Sequence, residues 1–593
     1  MRGRLSSLPS SIVRPQPPAS PARGLSKRRT PWAVLAGLLA CGEPAPEPPP
    51  PPPPPYVPPP ASTLVDSAPV AIRREVLRVA APAPPPNPNA TAFAETPPED
   101  NFVRVVRYRL DSEPPRPARA IAVLMPGFLG GAGSFEPLAR ALVRRSAPDA
   151  AIEVWAIDRR SNFLEDHHGL DVAEVRGDPE LASRYYFAGD EVEGRRFPGL
   201  LSQEQTAFMS EWGLATTISD LQAVLGLVPA AGRKSHVVLI GHSLGASIVE
   251  EYAAWDFTGR PGYEDLAGLV LIDGTTGAEG SATPPISLAQ YQDGISGSFP
   301  RPGLSKIRSR DRFYTLPLLG SEIYVTAGIS ALRAAWRPMD VVSDPDRDSA
   351  LRVLLGLNAV PALTNRAALG FSFDRAYNAL SFAAVSCGVG TGGRIEKYRS
   401  LLGADLLHPT DPAATYDWVD FDKTQPTGHT ALTDLAQAWF HGPGLDFAEW
   451  YFPARLALDA PAAGSLVLAS SDWPRSMFGL RAAHGRSLDL PILALAAGLA
   501  GKGGGDQHAY DALRQLVDAV PIGPGRPQAG LPRTRAEAFR VLAYPQLTHI
   551  DPILGADSPI SQAQEWYREL HEFLLRNTTA AGAPVITPLP SGS

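Results

Sequence analysis

The chain has 593 residues, with 54 basic and 61 acidic side chains and a formal charge of -7, so nothing in its charge favours general binding to nucleic acid. An apolar share of 44% excludes overall disorder, and two cysteines, Cys41 and Cys387, exclude a disulfide scaffold or a Cys-rich metal site. No apolar run approaches the roughly 20 residues a transmembrane helix needs.

The front of the chain reads as an address followed by a stalk. A basic patch (Lys27, Arg28, Arg29) precedes a short apolar run from Trp32 to Ala40 and then Cys41. The run is too short to span a bilayer but suits a secretory signal. Leu38-Leu39-Ala40-Cys41 resembles a bacterial lipoprotein lipobox, in which the Cys becomes lipidated. The resemblance implies a signal peptide over 1–40 and an exported protein, anchored to the bacterial cell envelope and its membrane through lipid on Cys41. Gly42, rather than an acidic residue, follows the Cys, which in that family favours the outer membrane. Residues 41–100 then read as a Pro-rich linker. Eight consecutive prolines, Pro48 to Pro55, impose extended polyproline II, a semi-rigid spacer of about 3.1 Å per residue.

Beyond residue 100 the pattern alternates strand and helix. Val103 to Leu110 is expected to pair at an antiparallel edge. Short apolar runs at 118–124, 151–157, 236–240, 266–272, 490–496 and 538–543 have the composition of strands buried on both faces. Phe135, Leu138, Ala139, Leu142 and Val143 form one helical stripe, and Ala563, Trp566, Tyr567, Leu570, Phe573 and Leu574 form another near the C-terminus. Strands alternating with amphipathic helices imply a doubly wound, mostly parallel α/β sheet.

The run at 236–240 leads directly into Gly241-His242-Ser243-Leu244-Gly245, and an amphipathic helix follows. A sharp strand-to-helix turn would expose the Ser243 hydroxyl above the sheet, while small residues at 241 and 245 let strand and helix pass closely. With this context the sequence resembles the α/β-hydrolase superfamily, in its serine esterase and lipase branch, over roughly 103–280 and 488–578. The resemblance implies a hydrolase of small-molecule carboxylic esters that needs no metal or organic cofactor, working through an acyl-enzyme on Ser243. Acyl transfer or peptide hydrolysis by the same triad, and a silent binding protein on the same fold, are the alternatives.

A serine hydroxyl needs an adjacent base. His549, just past the last strand and ahead of the last helix, occupies the position where the family keeps that base; His571 lies within the final helix. His242 is the variable residue of the elbow and in the family points away from the nucleophile. The triad acid should lie beyond the end of a strand and hold the imidazole tautomer. Asp506, the first carboxylate after the run at 490–496, is the leading candidate; Asp273, closing LVLID, is the alternative, and Asp511 is a third. The oxyanion hole is expected from the backbone N–H groups of Leu244 and of Phe128 in the Pro126-Gly127-Phe128 loop, where the family more often has His-Gly.

About 210 residues separate the core strands around 274–487, too many for a loop. They read as a cap over 281–487, set between the last-but-two and last-but-one strands and shaping an apolar acyl or alcohol pocket. Core is expected at 101–280 and 488–578, and a disordered tail at 579–593. A second insertion, 159–212, holds Asp166, His167 and His168, read as a polar hinge rather than a metal site, and Cys387 reads as a buried free thiol.

Overall fold

The computed structural model describes residues 64–65, 70–85, 94–146, 150–276, 285–296, 301–314, 320–341, 361–400, 404–423, 428–440, 442, 445, 447–467, 471–498 and 506–587. The stretch read as a signal peptide, Cys41 and the proline run lie outside these residues. Numbering only the strands of the main sheet, they are β1 (Leu64–Val65), β2 (Ile72–Ala80), β3 (Phe102–Leu110), β4 (Ala118–Met125), β5 (Ala151–Asp158), β6 (Val237–His242), β7 (Gly268–Ile272), β8 (Ile492–Ala496) and β9 (Phe539–Ala543). Their order is β1-β2-β3-β5-β4-β6-β7-β8-β9. The pairs from β5 onward are parallel, and β1, β2 and β3 extend the sheet antiparallel. This is a doubly wound, mostly parallel α/β sheet, as the alternation of strands and helices predicts.

The central strands are apolar because both faces are covered. Every residue of β5, β6, β7 and β8 is buried. The helix Leu244–Ala253 packs on β6 and β7, Glu136–Arg144 on β5, and Gln562–Asn577 on β4. All ten residues of Leu244–Ala253 are buried. So short a helix is marginal in water, and packing holds it in place. Among the described residues no single helix is long and apolar enough to cross a membrane.

Two boundaries differ from the sequence reading. β2 falls inside the stretch read as linker, and it pairs along its whole length with β3, so β3 is not the edge. The difference is electrostatic. β2 reads IRREVLRVA, yet Glu75 is buried against Arg107 at 3.0 Å and Arg109 at 2.9 Å, and Arg107 also holds Glu153 at 2.7 Å. Charged residues pair across the strands here, where an apolar run would be expected. At the other end, Ala118 N donates to Pro584 O and Arg107 Nη2 to Ile586 O, each at 2.9 Å, and Ile586 is buried. The tail therefore packs on the sheet through residue 587, and only 588–593 lie outside the described residues.

Residues 273–491 leave the sheet after β7 and return at β8. Within them lie the helices Glu322–Trp336, Asn365–Phe373, Leu432–Phe440 and Ala454–Val467 and a small sheet formed by Ala362–Leu363, Thr415–Asp420 and Gly388–Thr391. Phe371, Tyr377 and Trp418 form an aromatic core of this insertion. Ala454–Val467 packs against Leu244–Ala253, which ties the insertion to the helix that follows Ser243. Cys387 is buried and free, as the sequence reading expected.

Candidate active site

The turn between β6 and the helix Leu244–Ala253 has no room for a side chain at position 241 or 245. A Cβ on Gly241 would lie 2.1 Å from Gly245 O, and one on Gly245 would lie 2.2 Å from Met125 O. Ser243 sits at φ 56° and ψ -125°, a backbone conformation that costs an L-residue on the order of 1–3 kcal/mol. Of the five non-glycine residues with positive φ among those described, three lie around this turn: Leu129 at 60°, Ser243 and Asp273 at 48°. Strain concentrated at one place is the pattern of a functional site.

Sheet register brings Asp273 to the Ser243 turn. His242 pairs with Ile272 across β6 and β7, and Ser243 N donates to Ile272 O at 2.9 Å. Asp273, the next residue, is therefore beside the elbow. Its Oδ2 lies 2.7 Å from His549 Nδ1 and its Oδ1 accepts from Ala497 N at 2.7 Å; Asp273 is fully buried and His549 2% exposed. A carboxylate that accepts a hydrogen bond from Nδ1–H holds the neutral imidazole in the tautomer whose Nε2 is open to accept.

Among the described residues Asp506, the leading sequence candidate, caps a short helix and makes no hydrogen bond to His549. Its Oδ1 accepts from His508 N at 2.9 Å and starts the short helix there, while Asp511 Oδ2 is 2.8 Å from His508 Nδ1. Position after a strand suited Asp506 and Asp273 alike; the direct pairing of β7 with β6 distinguishes them.

His242 has a partner that the sequence does not indicate. Its ring packs against that of His549 with centroids 4.5 Å apart, and its Nε2 donates to His549 O at 2.8 Å. Burial, with the neighbouring His549 as a smaller cause, holds His242 down to about 3, so it is neutral in ordinary buffers. The elbow's variable residue thus supports the loop that carries the imidazole. Asp551 steadies the same loop: its Oδ2 accepts from Thr548 N at 2.8 Å, and its Oδ1 accepts from Ser386 N at 3.0 Å and Thr430 Oγ1 at 2.7 Å.

The Pro126–Gly131 loop runs against the serine. A Cβ on Gly127 would lie 2.7 Å from Ser243 Cβ and 3.3 Å from its Oγ. Among the described residues neither the Phe128 nor the Leu244 amide donates to a protein acceptor. The Phe128 ring packs edge-on against Phe452, Tyr314 and Phe382 of the insertion, at centroid distances of 4.8, 5.2 and 6.4 Å. An aromatic cluster shared with the insertion is thus joined to the loop that runs beside Ser243.

The histidine pair of the second insertion splits. His167 Nε2 lies 2.7 Å from Glu165 Oε2 and His168 Nε2 donates to Val192 O at 2.8 Å. Among the described residues no group of three or more His, Cys, Asp or Glu side chains could hold a metal ion.

No family model matches the sequence, and no curated protein matches it. Among solved structures, the chain is similar to a putative lipase from Sulfolobus solfataricus, at 12% identity and TM-score 0.39 over 86% of this chain and 99% of that one. It is similar to a thermophilic esterase from Thermogutta terrifontis, at 11% identity and TM-score 0.31 over 85% and 99%. A peroxisomal alpha-beta-hydrolase from Saccharomyces cerevisiae is similar at 10% identity and TM-score 0.36 over 87% and 92%.

Proposed function

We propose that the chain is a serine hydrolase of carboxylic esters. Ser243 Oγ attacks the ester carbonyl, and His549 Nε2 takes its proton and then delivers it to the departing alcohol. Asp273 accepts from His549 Nδ1 and stabilises the imidazolium that forms. The N–H groups of Phe128 and Leu244 receive the developing alkoxide. Water activated by the same imidazole then attacks the acyl carbonyl, expels Ser243 Oγ and releases the acid. The 2.7 Å contact of His549 Nδ1 with Asp273 Oδ2, beside a serine held at positive φ, is the observation that carries this reading. The aromatic residues around Phe128 favour an ester with an apolar acyl or alcohol group, and the insertion serves as the cap over that pocket.

The test is labelling of the full chain by a fluorophosphonate probe, followed by peptide mapping and a panel of aryl and alkyl esters. Labelling confined to Ser243, lost in S243A together with ester turnover, is the expected result. Absence of labelling in the folded protein would sink the reading and leave a silent hydrolase fold. Turnover of aminoacyl amides in preference to esters would make the chain a peptidase.

The anchoring is proposed on the sequence alone, from the Leu38-Leu39-Ala40-Cys41 motif followed by the proline spacer. We infer that Cys41 is lipidated and holds the enzyme to the cell envelope, at the outer membrane. Incorporation of an alkynyl fatty acid into the wild-type chain and not into C41S is the expected outcome; equal incorporation would refute it.

A further inference from the structure

The loop that carries the Phe128 amide is held by one buried guanidinium. Arg159 is 4% exposed and follows β5 directly. Its Nη2 donates to Pro126 O and, at 3.0 Å, to Gly127 O, and its Nη1 donates to Gly130 O at 3.3 Å. Three carbonyls of the Pro126–Gly131 loop therefore face the same cation. A trans peptide is planar, with its C=O and N–H pointing in opposite directions. Fixing Gly127 O toward Arg159 therefore turns the Phe128 N–H away from it.

What fixes Arg159 comes from the insertion. Its Nη1 lies 2.7 Å from Glu449 Oε2, Glu449 is fully buried, and its other carboxylate oxygen accepts from Ser161 Oγ. The Glu449 backbone N donates to Leu129 O at 2.9 Å, and Gly131 N donates to Phe447 O at 2.8 Å. The Arg159 guanidinium also lies over the Phe452 ring, 5.2 Å from its centroid, and that ring in turn packs on Phe128. Residues 447–452 thus pair with the loop by backbone and supply the counter-charge for the cation that orients it. A Glu–Arg pair in a desolvated setting is directional, and its guanidinium cannot relax into water if the carboxylate is lost.

We propose that Glu449 is a positioning residue for the oxyanion hole: through Arg159 it sets the Phe128 peptide plane, so turnover requires this segment of the insertion to be seated. The inference rests on the serine-hydrolase reading and adds to it that half of the hole is held from outside the core.

The test compares wild type, E449Q and R159K on a small oxo ester and on the matching thiono ester. E449Q keeps the size and the partner for Ser161 but loses the charge. R159K keeps a cation but cannot reach several carbonyls at once. A thiocarbonyl sulfur is a poor hydrogen-bond acceptor, so the ratio of oxo to thiono kcat/KM measures what the hole contributes. The expected result for E449Q is a fall in kcat of about 10- to 100-fold on the oxo ester, less than the loss of a whole oxyanion donor. KM should stay within about threefold and the oxo to thiono ratio should fall about tenfold; Ser243 should still be labelled, more slowly. A folded E449Q with wild-type kcat and ratio would overturn the proposal, and so would equal losses on both esters, which report only general damage. If E449Q does not fold, R159K is read by the same ratio and the same outcomes decide. Failure of the hydrolase reading itself would appear separately, as a wild-type protein with neither labelling nor turnover.

Discussion

His242 Nε2 donates to the carbonyl of His549 at 2.8 Å, so the residue before Ser243 supports the loop that carries His549. Its low proton affinity, about 3, keeps the ring neutral and the bond intact across the working pH range. H242A is expected to lower kcat on an ester about tenfold, equivalent to about 1.4 kcal/mol, with KM within about twofold. H242Q, whose amide can still donate, should recover part of that loss. Because His242 does not titrate near neutrality, H242Q should leave the limbs of the pH–kcat/KM profile where wild type has them. A displaced limb would show that His242 contributes a proton equilibrium of its own.

Asp273 and Asp506 separate in a paired experiment. Asp273 Oδ2 touches His549 Nδ1 and is fully buried, whereas Asp506 Oδ1 accepts from the backbone of His508 at an exposed helix start. D273N presents an amide to the imidazole and favours the wrong tautomer, so kcat should fall about 10³- to 10⁴-fold. D506N should stay within about twofold of wild type, with at most a few tenths of a kcal/mol lost at that helix start. Measured kcat for both variants decides, and a large loss in D506N with a mild one in D273N would reverse the assignment of the acid.

Gly127 has no space for a side chain on the serine side. A Cβ there would lie 2.7 Å from Ser243 Cβ and 3.1 Å from His242 O, so either the loop or the elbow must move. G127A is expected to fold, with thermal unfolding a few degrees lower, and to lose at least about 100-fold in kcat, since a shift of an ångström at the reacting centre is that costly. Fluorophosphonate labelling should slow in parallel. Wild-type turnover in a folded G127A would show that the loop yields without disturbing the serine.

The parts of this chain legible in the sequence are those whose physics is local. β5 through β8 are short apolar runs because both their faces are covered, β4 and the edge strand β9 share that composition, and the turn at Ser243 is announced by glycines that the crossing of strand and helix requires. β2 was hidden because its buried charges are matched by Arg107 and Arg109 on β3, and no pattern within β2 itself records that match. The choice between Asp273 and Asp506 depended on which strand pairs with β6, a fact of sheet order. The contact of Arg159 with Glu449 spans 290 residues and leaves no local signal at either end. His549 was found from its place after the last strand, yet its support from His242 was visible only as a contact between rings.

Behind the elbow, Glu250 on the helix Leu244–Ala253 accepts through Oε2 from Thr275 Oγ1 at 2.9 Å and from Thr276 N at 3.1 Å, holding the loop that follows Asp273. Burial raises its carboxyl from the ordinary 4.5 to about 7, and the two threonine donors only partly offset that. Glu251 beside it is also pushed up by burial. With its proton affinity raised in the folded state, Glu250 binds more protons folded than unfolded between these two values. Its contribution to stability is therefore complete below about 4.5 and lost as pH rises through about 7, a loss on the order of 3 kcal/mol at most. E250Q is neutral at every pH and keeps an oxygen for the threonines. Its urea midpoint should match wild type at pH 5 and exceed it at pH 8.5, by about 1–3 kcal/mol after conversion through the common slope. Equal midpoints at pH 8.5 would mean that the Glu250 carboxylate is solvated or paired when ionised, and that the loop after Asp273 is not held by a neutral acid.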